Sequence, residues 1–412
     1  MTNPLLVGVD VHRKTNVVCP MNISGREVGQ RFNVDNNLPG TAAFVDKVSS
    51  LAEEGGYDAI LVAAEATAMY WWHFFRTLDQ DPVLNQRPVA LFPVNARLTA
   101  NFKKTYSDLD KTDLSDAFVI ADRLRLGRDL PQPFTCDEPH MLVRFLTRHR
   151  FHLIRNLVRE KAYFLAQLYL KASEYTHLKP FANIFGVTSR AIIQGYDSME
   201  EIAALPFDQL TEIIDDLGKR RFADPTHNAR RMQAVARDSY PLPEALQGPV
   251  NLILRQSLQH IAWLERQVKR TDTAISEAMK AIPHTLDTIP GLGPVFCAGI
   301  ISEIGDLQRF GHDQAKVAKL AGLKWRKTQS ADFQAQDTPM THKGNRYLRY
   351  YFCEGANSVR MRDAEYGAYY KRKYNEVRTH QHKRAIVLTA RKLVRLVVRL
   401  LTTNQPYQPR RP

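Results

Sequence analysis

Four acidic residues in this chain have the types and the spacing that metal-assisted chemistry requires. Asp10 and Glu65 each end an apolar run, and Asp113 and Asp116 lie three residues apart where an amphipathic helix is expected to begin. Residues three apart share one face of a helix, so both carboxylates of this pair face the same way. Mg²⁺ prefers a few carboxylates combined with phosphate oxygens. The pattern therefore predicts a site for one or two Mg²⁺ or Mn²⁺ ions that acts on a phosphodiester.

An ordinary structural explanation competes with this one. Acidic residues often stand at helix starts, where they cap the helix and oppose the positive end of its dipole. Any one of the four, taken alone, fits that role. The surrounding sequence at three separate places favours the chemical interpretation.

The elements that must hold these carboxylates alternate from residue 5 to about residue 125. Apolar runs predict strands at residues 5–10, 15–21, 58–64 and 88–93. Amphipathic patterns predict helices at residues 41–53, 67–79 and 113–125. This alternation is typical of an α/β domain with a mixed sheet. The proline-containing stretch 127–139 is expected to be a linker.

The middle of the chain is predicted to be helical. A long helix is expected at residues 140–175, and another at 249–280 has apolar residues close to a heptad seam, which Glu265 and Asp272 interrupt. The second helix is predicted either to form an intermolecular coiled coil, the option that we favour, or to pack on its own chain. Residues 176–247 have several prolines and short helical stretches and predict a small helical insertion.

A glycine-rich turn precedes a short helix in the second half. Gly291 and Gly293 allow a tight turn, and the helix after them can present backbone N–H groups to a phosphate. This pattern predicts a helix-hairpin-helix that grips the DNA backbone. The alternative is a turn that merely joins two elements.

The charge distribution indicates a nucleic-acid partner. The chain has 57 Lys and Arg against 43 Asp and Glu, a net charge of +14. Residues 341–412 alone hold 17 Lys or Arg and 4 Asp or Glu. So localised a positive charge attracts phosphate backbones whatever their sequence. A generally soluble basic protein and a protein bound to an anionic membrane are the alternatives, and both explain the localisation less well.

The remaining composition predicts a cytoplasmic protein. The four cysteines, Cys19, Cys136, Cys297 and Cys353, are far apart and have no metal-ligand spacing, so reduced thiols are expected. No signal peptide is evident, and the apolar stretches are too short or too interrupted to span a bilayer.

The acidic residues stand in sequences that resemble the signatures of the DEDD insertion-sequence transposases, a family that includes the pilin-gene invertases and the bridge-RNA-guided recombinases. The resemblance lies in residues 7–15, 64–71 and 111–117, the last preceded by Val94-Asn95. Pieces of residues 289–349, with 383–385 and 390–393, resemble the C-terminal domain of the same family. The resemblance covers about two-thirds of the chain and leaves 176–247 unexplained.

This resemblance implies a domain order and a fold. It implies an RNase H-like (RuvC-like) domain at residues 1–130 that holds metal on the four carboxylates, and a helical and coiled-coil region at 140–280. A mainly helical transposase domain with the helix-hairpin-helix is expected at 281–402, followed by a tail at 403–412.

The resemblance also implies a nucleophile, Ser330, which becomes joined to a DNA 5′-phosphate. Two departures bear on its register: Lys324-Trp325-Arg326 follows the Ala-Gly-Leu motif, and Ala331 follows Ser330 where the family usually has glycine. Thr328 is the alternative nucleophile in the same loop, and Ser302 is a distant third. Without the resemblance, a turn serine bonded to its own backbone is the ordinary explanation.

The expected partners are donor and target DNA, a structured noncoding guide RNA implied by the resemblance, and further copies of the chain in a dimer or tetramer. Nucleic-acid contacts are predicted at a set of mainly basic residues and turn glycines. They are Arg148, Arg155, Arg159, Gly291, Gly293, Lys343, Asn345, Arg346, Arg349, Arg391 and Lys392. Tyr347, Tyr350, Tyr351 and Phe352 are aromatic residues that either stack on bases or belong to the core.

Three other functions fit parts of the sequence. A RuvC-like metal-dependent nuclease would use the four carboxylates and water without serine chemistry. An actin-like ATPase or sugar kinase would explain residues 7–15 as a phosphate hairpin, although the later glycine-rich loops are missing. A non-enzymatic nucleic-acid-binding protein would explain the charge and the helices but leave the carboxylates without a role.

Overall fold

The computed structural model describes residues 3–66, 68–106, 112–128, 130–325, 340–341 and 343–409, together with the backbone of 329–330 and 333–334. The chain divides into two compact units, Met1–Glu138 and Pro139–Pro412. The sequence analysis expected a boundary in the same stretch, between residues 130 and 140. The further boundary expected at residue 280 stays a prediction.

The first unit is built from five strands and four helices that the structure describes. The strands are β1 (Pro4–Val11), β2 (Thr15–Met21), β3 (Phe32–Asp35), β4 (Ala59–Glu65) and β5 (Val89–Val94). The helices are α1 (Leu38–Glu54), α2 (Tyr70–Gln80), α3 (Ala96–Lys103) and α4 (Asp113–Leu126).

The five strands form one mixed sheet in the order β3-β2-β1-β4-β5. Strand β1 pairs antiparallel with β2 and parallel with β4, and β4 pairs parallel with β5. The mixed sheet expected from the sequence is therefore confirmed, and it is consistent with an RNase H-like domain. Because β1 and β4 run in the same direction, their carboxyl ends lie at the same edge of the sheet.

Each face of the sheet packs against its own helices. On one face Leu5, Val7 and Val9 share a core with residues of α1 and α2. On the other, Leu6 packs with Ala117 and Ile120 of α4. Side chains alternate along a strand, so Gly8 and Asp10 face α4 together with Leu6.

Two elements of this unit and the predicted linker differ from expectation. Strand β3 has only four residues with alternating burial at the sheet edge, and α3 has eight residues, so neither gave a clear periodic signal. The stretch 127–139 is not a free linker. The Phe134 ring lies 5.7 Å from the ring of Trp71 and 5.9 Å from that of Phe75, and its backbone N–H donates to the Leu91 carbonyl.

The second unit is almost entirely helical in its described residues. Its first helices are α5 (Glu138–Lys171, which begins at the boundary), α6 (Tyr175–Leu178), α7 (Val187–Gly195), α8 (Met199–Ala203), α9 (Phe207–Leu217), α10 (Pro225–Asp238) and α11 (Glu244–Met279). They are followed by α12 (Pro294–Ile304), α13 (Gln314–Leu320), a short hairpin of β6 (Gln329–Ser330) and β7 (Phe333–Gln334), α14 (Arg346–Val359), α15 (Ala364–Asn375) and α16 (Gln381–Thr403). The segment 176–247 is helical, as the sequence predicted.

The sequence analysis favoured an intermolecular coiled coil for the second long helix. For the apolar seam of that helix this prediction is wrong. Leu254, Leu258 and Ile261 of α11 are buried inside the unit. The acidic residues that interrupt the seam pair with the same chain: Glu265 accepts from Lys161 at 2.8 Å, and Asp272 pairs with Arg150. The ion pairs and the buried seam hold α11 against α5, which is the alternative that the sequence had left open.

Two large apolar cores hold this unit together, beside a smaller one at Tyr370, Ala385 and Ile386. One joins α12, α14 and α16 with the end of α11, and the other surrounds α6 to α10. No helix in the described part of the chain is both long enough and apolar enough to cross a membrane.

Candidate metal centre

Glycine at position 8 lets α4 lie directly on β1. A Cβ added to Gly8 would stand 2.2 Å from the carbonyl oxygen of Ala117 and 2.4 Å from the backbone nitrogen of Ala121. Only a residue without a side chain permits this approach. It brings the first turn of α4 to the end of the strand that holds Asp10.

The first turn of α4 is fixed at both of its ends. Thr112 caps the helix, since its Oγ1 accepts from the backbone N–H of Ser115 at 3.2 Å. Arg31 donates from Nη1 to the Leu114 carbonyl at 2.9 Å. Asp113 and Asp116 stand in this turn, where the helix dipole favours negative charge.

The structure brings Asp10, Asp113 and His12 into one cluster. His12 Nε2 lies 3.3 Å from Asp10 Oδ2 and 3.4 Å from Asp113 Oδ2. One ligand atom from each of these three residues lies within 4.8 Å of the other two. Asp10 is nearly buried, whereas the side chains of His12 and Asp113 are 44% and 64% exposed. The cluster therefore opens to solvent from a buried floor.

The other two acidic residues act on Asp10 electrostatically. The pKa of Asp10 is raised to about 6, chiefly by burial; His12 lowers it, and the charges of Asp116, Glu65 and Asp113 contribute to the rise. Glu65 reaches this site because it follows Ala64, the residue of β4 that pairs with Val9. All four sequence-predicted carboxylates therefore belong to one electrostatic cluster.

Lysine 103, the last residue of α3, places a cation at the same site. Its Nζ lies 2.5 Å from Asp116 Oδ1, with about a quarter of the Lys103 side chain exposed. This ion pair partly offsets the repulsion among the carboxylates.

The donor set fits a divalent cation. Carboxylate oxygens suit Mg²⁺ and Mn²⁺, and an imidazole nitrogen is a ligand that transition metals accept. The mutual repulsion that raises the pKa of Asp10 is what a bound cation would remove.

Sequence reasoning missed both His12 and Lys103. His12 stands in the turn after β1, beyond the strand along which side chains alternate, so strand periodicity does not mark it. Lys103 had no signal either, because α3 itself was not predicted.

Comparison with known families agrees with this geometry. A family model for DEDD transposases of the IS110 type, described as "Transposase", matches residues 7–171. A second, "Transposase IS116/IS110/IS902 family", matches residues 283–371. The chain belongs to the DEDD-type insertion-sequence transposases. Membership implies a DNA-processing enzyme, which decides against the kinase and the non-enzymatic alternatives.

Two relatives of this transposase are themselves proteins of insertion elements. It is 26% identical over 333 residues to the "Insertion element IS116 uncharacterized 44.8 kDa protein" of Streptomyces clavuligerus, covering 77% of this chain and 78% of that protein. It is 24% identical over 319 residues to the "Insertion element IS900 uncharacterized 42 kDa protein" of Mycobacterium paratuberculosis, covering 74% and 75%. Both likenesses extend across the two units.

The expected nucleophiles lie in the second unit. The backbone of Ser330 pairs with Phe333 in the β6–β7 hairpin, while its side chain and the whole of Thr328 lie outside the described residues. Ser302 is fully buried in α12, and its carbonyl accepts two hydrogen bonds from Arg144. A buried hydroxyl is inconsistent with attack on DNA, so Ser302 is wrong as an alternative nucleophile.

Two residues predicted to contact nucleic acid hold a buried glutamate. Arg148 donates from Nε and Nη2 to Glu303 at 2.7 and 2.9 Å, and Asn345 donates to the same carboxylate at 2.6 Å. Asn345 also caps α14 by accepting from the backbone of Tyr347 and Leu348. In the structure both residues hold α5, α12 and α14 together, and their contact with nucleic acid stays a prediction.

The other predicted contacts differ in their accessibility. Arg155, Arg159, Lys343 and Arg346 are exposed. Arg349 is half-buried, Arg391 donates to Gln314 Oε1 at 2.8 Å, and Lys392 pairs with Glu365 at 2.7 Å.

The turn glycines and the aromatic residues also divide into inner and outer positions. Gly291 has a φ of +89°, and a Cβ there would stand 2.8 Å from the Ser358 carbonyl oxygen, whereas Gly293 faces open space. Tyr351 and Phe352 are core residues, and Tyr347 and Tyr350 pack on the ring of Phe151.

Proposed function

We propose that this transposase cleaves and rejoins DNA strands at a metal site formed by Asp10, Glu65, Asp113 and Asp116. The observation that supports the proposal most is the convergence of these carboxylates, from two strand ends and one helix start, around a buried Asp10. Stability alone does not explain it, because like charges gathered at one place destabilise the fold.

The same four side chains would hold Mg²⁺ or Mn²⁺, with His12 as an additional ligand or a hydrogen-bond partner. The ion would stabilise negative charge on the attacked phosphate and on its leaving oxygen. Asp10, being nearly buried, fixes the floor of the site. Asp113 and Asp116 stand on the exposed rim, where a phosphodiester can approach.

We further propose that Ser330 is the nucleophile. Its Oγ would form a bond to phosphorus as the bond from phosphorus to the 3′ oxygen breaks, leaving a 5′-phosphoserine and a free 3′ hydroxyl. The serine proton would be lost to a base as the leaving oxygen gains one. Attack by a 3′ hydroxyl on the phosphoserine would reverse these changes and release the serine, so strands could be exchanged without ATP.

Target choice is proposed to depend on a structured noncoding RNA. The described residues contain no zinc finger, and the basic residues of the second unit suit backbones rather than base edges. Base pairing to an RNA would supply the sequence information, and the protein would supply charge and shape. Recovery of one abundant RNA with the purified chain, complementary in its loops to DNA beside the gene, would support this part.

The metal site is tested by replacing Asp113 and Asp116 together with Asn. The substrate is a DNA duplex that contains the joined ends of the chain's own insertion element. The double variant should bind this DNA as well as the unchanged protein but show no cleavage, and Asp46→Asn, an exposed change on α1, should cleave normally. Recombination by the double variant would overturn the metal-site proposal.

The serine is tested separately by trapping the covalent adduct. Ser330→Ala should bind DNA and metal but form no protein–DNA adduct in denaturing gels. Cleavage without an adduct in the unchanged protein would instead favour a RuvC-like nuclease that uses water. An adduct in Ser330→Ala would move the assignment to another residue, and Thr328→Val is the next variant.

A further inference from the structure

A cavity in the second unit lies outside every site described so far. Its volume is about 360 Å³, within the roughly 300–1,000 Å³ range of small-ligand sites. One wall is a face of α16 that carries Lys392, Arg395 and Arg399, and the opposite wall is formed by residues 405–408. The cavity therefore lies between a basic helix face and the segment that follows the same helix, and it is open to solvent on one side.

The returning segment is held in place by specific contacts. Asn404 adopts a left-handed conformation at the end of α16, which reverses the chain direction. Tyr407 then donates from its hydroxyl to Asp363 Oδ2 at 2.7 Å and from its backbone N–H to Thr288 Oγ1 at 2.8 Å. Asp363 is itself buried and caps α15. These bonds make residues 405–408 a fixed wall.

The charges in the cavity are unevenly compensated. Lys392 pairs with Glu365 at 2.7 Å and lies over the rings of Tyr366 and Tyr369. Arg395 and Arg399 are exposed, lie one helical turn apart, and have no ion-pair partner within the part of the chain that the structure describes. Two adjacent guanidinium groups can bind the oxygens of one phosphate.

The rest of the lining is suited to a flat, mostly apolar group. Leu396, Leu400 and Pro406 supply apolar surface, and Tyr407 lines the cavity as a ring anchored at its hydroxyl. Gln405 and Gln408 add amide donors and acceptors at the rim. The two arginines would suit the phosphate of a nucleotide, and the apolar and aromatic wall with its amide groups would suit the base.

We propose that this cavity binds one nucleotide of a single-stranded nucleic acid, with its phosphate on Arg395 and Arg399 and its base against Tyr407 and Pro406. A base inside a duplex is covered by its neighbours and its pairing partner, so it cannot enter such a cavity without being extruded. The proposal takes from the proposed function only that the partner is a nucleic acid. It does not depend on metal or on strand cleavage.

The first test measures binding of AMP, adenosine and inorganic phosphate to the full chain by saturation-transfer NMR. AMP should bind at least tenfold more tightly than adenosine or phosphate. Binding of AMP should fall at least tenfold in the double variant Arg395→Gln with Arg399→Gln. The control, Lys371→Gln with Arg378→Gln, removes the same charge from exposed positions of the same unit and should change binding less than twofold.

A second test locates the site in the unchanged protein. A single-stranded oligonucleotide that contains one 5-iodouridine should crosslink on illumination to the peptide that includes Tyr407, and AMP should compete with the crosslink. The same sequence closed into a hairpin duplex should crosslink at least tenfold less.

Three results would overturn the proposal. One is equal AMP binding by the double variant, and another is phosphate binding as tight as that of AMP, which would mean a simple anion site. The third is equal crosslinking by the duplex, which would mean a general backbone surface. Each could occur while metal binding at Asp10 and Asp113 is intact, so failure here leaves the proposed function standing.

Discussion

Replacement of Gly8 with Ala should separate the two halves of the metal centre. The added Cβ would lie 2.2 Å from Ala117 O, whereas real contacts are essentially never under 3.0 Å, so α4 and β1 must part by about 0.8 Å or more. Metal–ligand distances tolerate only about 0.2 Å. Asp10 moves with β1 and Asp113 with α4, so the gap between their carboxylates should widen beyond that tolerance.

The expected magnitude has two parts. Overpacking of this kind costs about 1–3 kcal/mol of folding free energy. Affinity for Mn²⁺, measured by electron paramagnetic resonance, should fall about tenfold or more, equivalent to about 1.4 kcal/mol. Misplacement by about 1 Å should lower the DNA cleavage rate about 100-fold.

Two further variants sharpen this test. Gly248→Ala, where the added Cβ meets nothing within 4 Å apart from its chain neighbours, should leave metal affinity unchanged. Ala121→Gly should not rescue Gly8→Ala, because the two closest atoms at Gly8 belong to the backbone. A folded Gly8→Ala protein with unchanged Mn²⁺ affinity would refute the claim that this close approach builds the site.

Three other changes give separate tests. Lys103→Gln should raise Mn²⁺ affinity severalfold, because it removes the cation that pairs with Asp116 at 2.5 Å; weaker binding would show that Lys103 helps to hold the site. Glu303→Ala should lower the unfolding free energy by about 1–3 kcal/mol, because it leaves the donors of Arg148 and Asn345 without their acceptor, whereas the exposed Glu277→Ala should leave the denaturation midpoint unchanged. Burial lowers the pKa of Lys171 from 10.5 to about 8, so between those pH values the unfolded chain binds more protons and stability rises with pH. Across that window the unchanged protein should gain about 3 kcal/mol relative to Lys171→Met, measured by urea denaturation, and a constant difference would contradict the shift.

The acidic residues could be predicted because each stands at the end of an element with a clear pattern. Asp10 and Glu65 follow apolar runs long enough to specify β1 and β4. The parallel pairing of these strands was not in the sequence pattern, yet the carboxyl ends of parallel strands meet at one edge. The two strands that the sequence predicts correctly therefore position two of the four carboxylates.

The partners of the carboxylates could not be predicted in the same way. Lys103 belongs to α3, a helix of eight residues in which Thr99 is buried, so no apolar repeat marks this helix in the sequence. His12 stands in the turn after β1, where its backbone N–H donates to the Thr15 carbonyl. Such turn and end positions are fixed by tertiary contacts rather than by local periodicity.

Long helices show the complementary difficulty. Periodicity specified α11 well, but an apolar seam is the same whether its partner is another chain or a neighbouring helix. In the sequence, Glu265 and Asp272 interrupt the apolar pattern of a coiled coil. In the structure Glu265 pairs with Lys161 and Arg190, and Asp272 pairs with Arg150. Charges that interrupt a seam therefore distinguish the two arrangements only when the facing helix is known.

The cavity beside α16 extends this reasoning to the basic residues. Lys392, Arg395 and Arg399 recur at helical spacing, and the ordinary interpretation of such a stripe is a solvated helix face. The return of the chain at Asn404 changes that interpretation, because Tyr407 is then fixed opposite the stripe. Tyr407→Phe removes only the hydroxyl that is bonded to Asp363. We expect this change to weaken AMP binding and to leave the weak binding of adenosine as it is, because the anchored wall positions the phosphate on Arg395 and Arg399. Unchanged AMP binding would mean that the ring stays in place through packing alone.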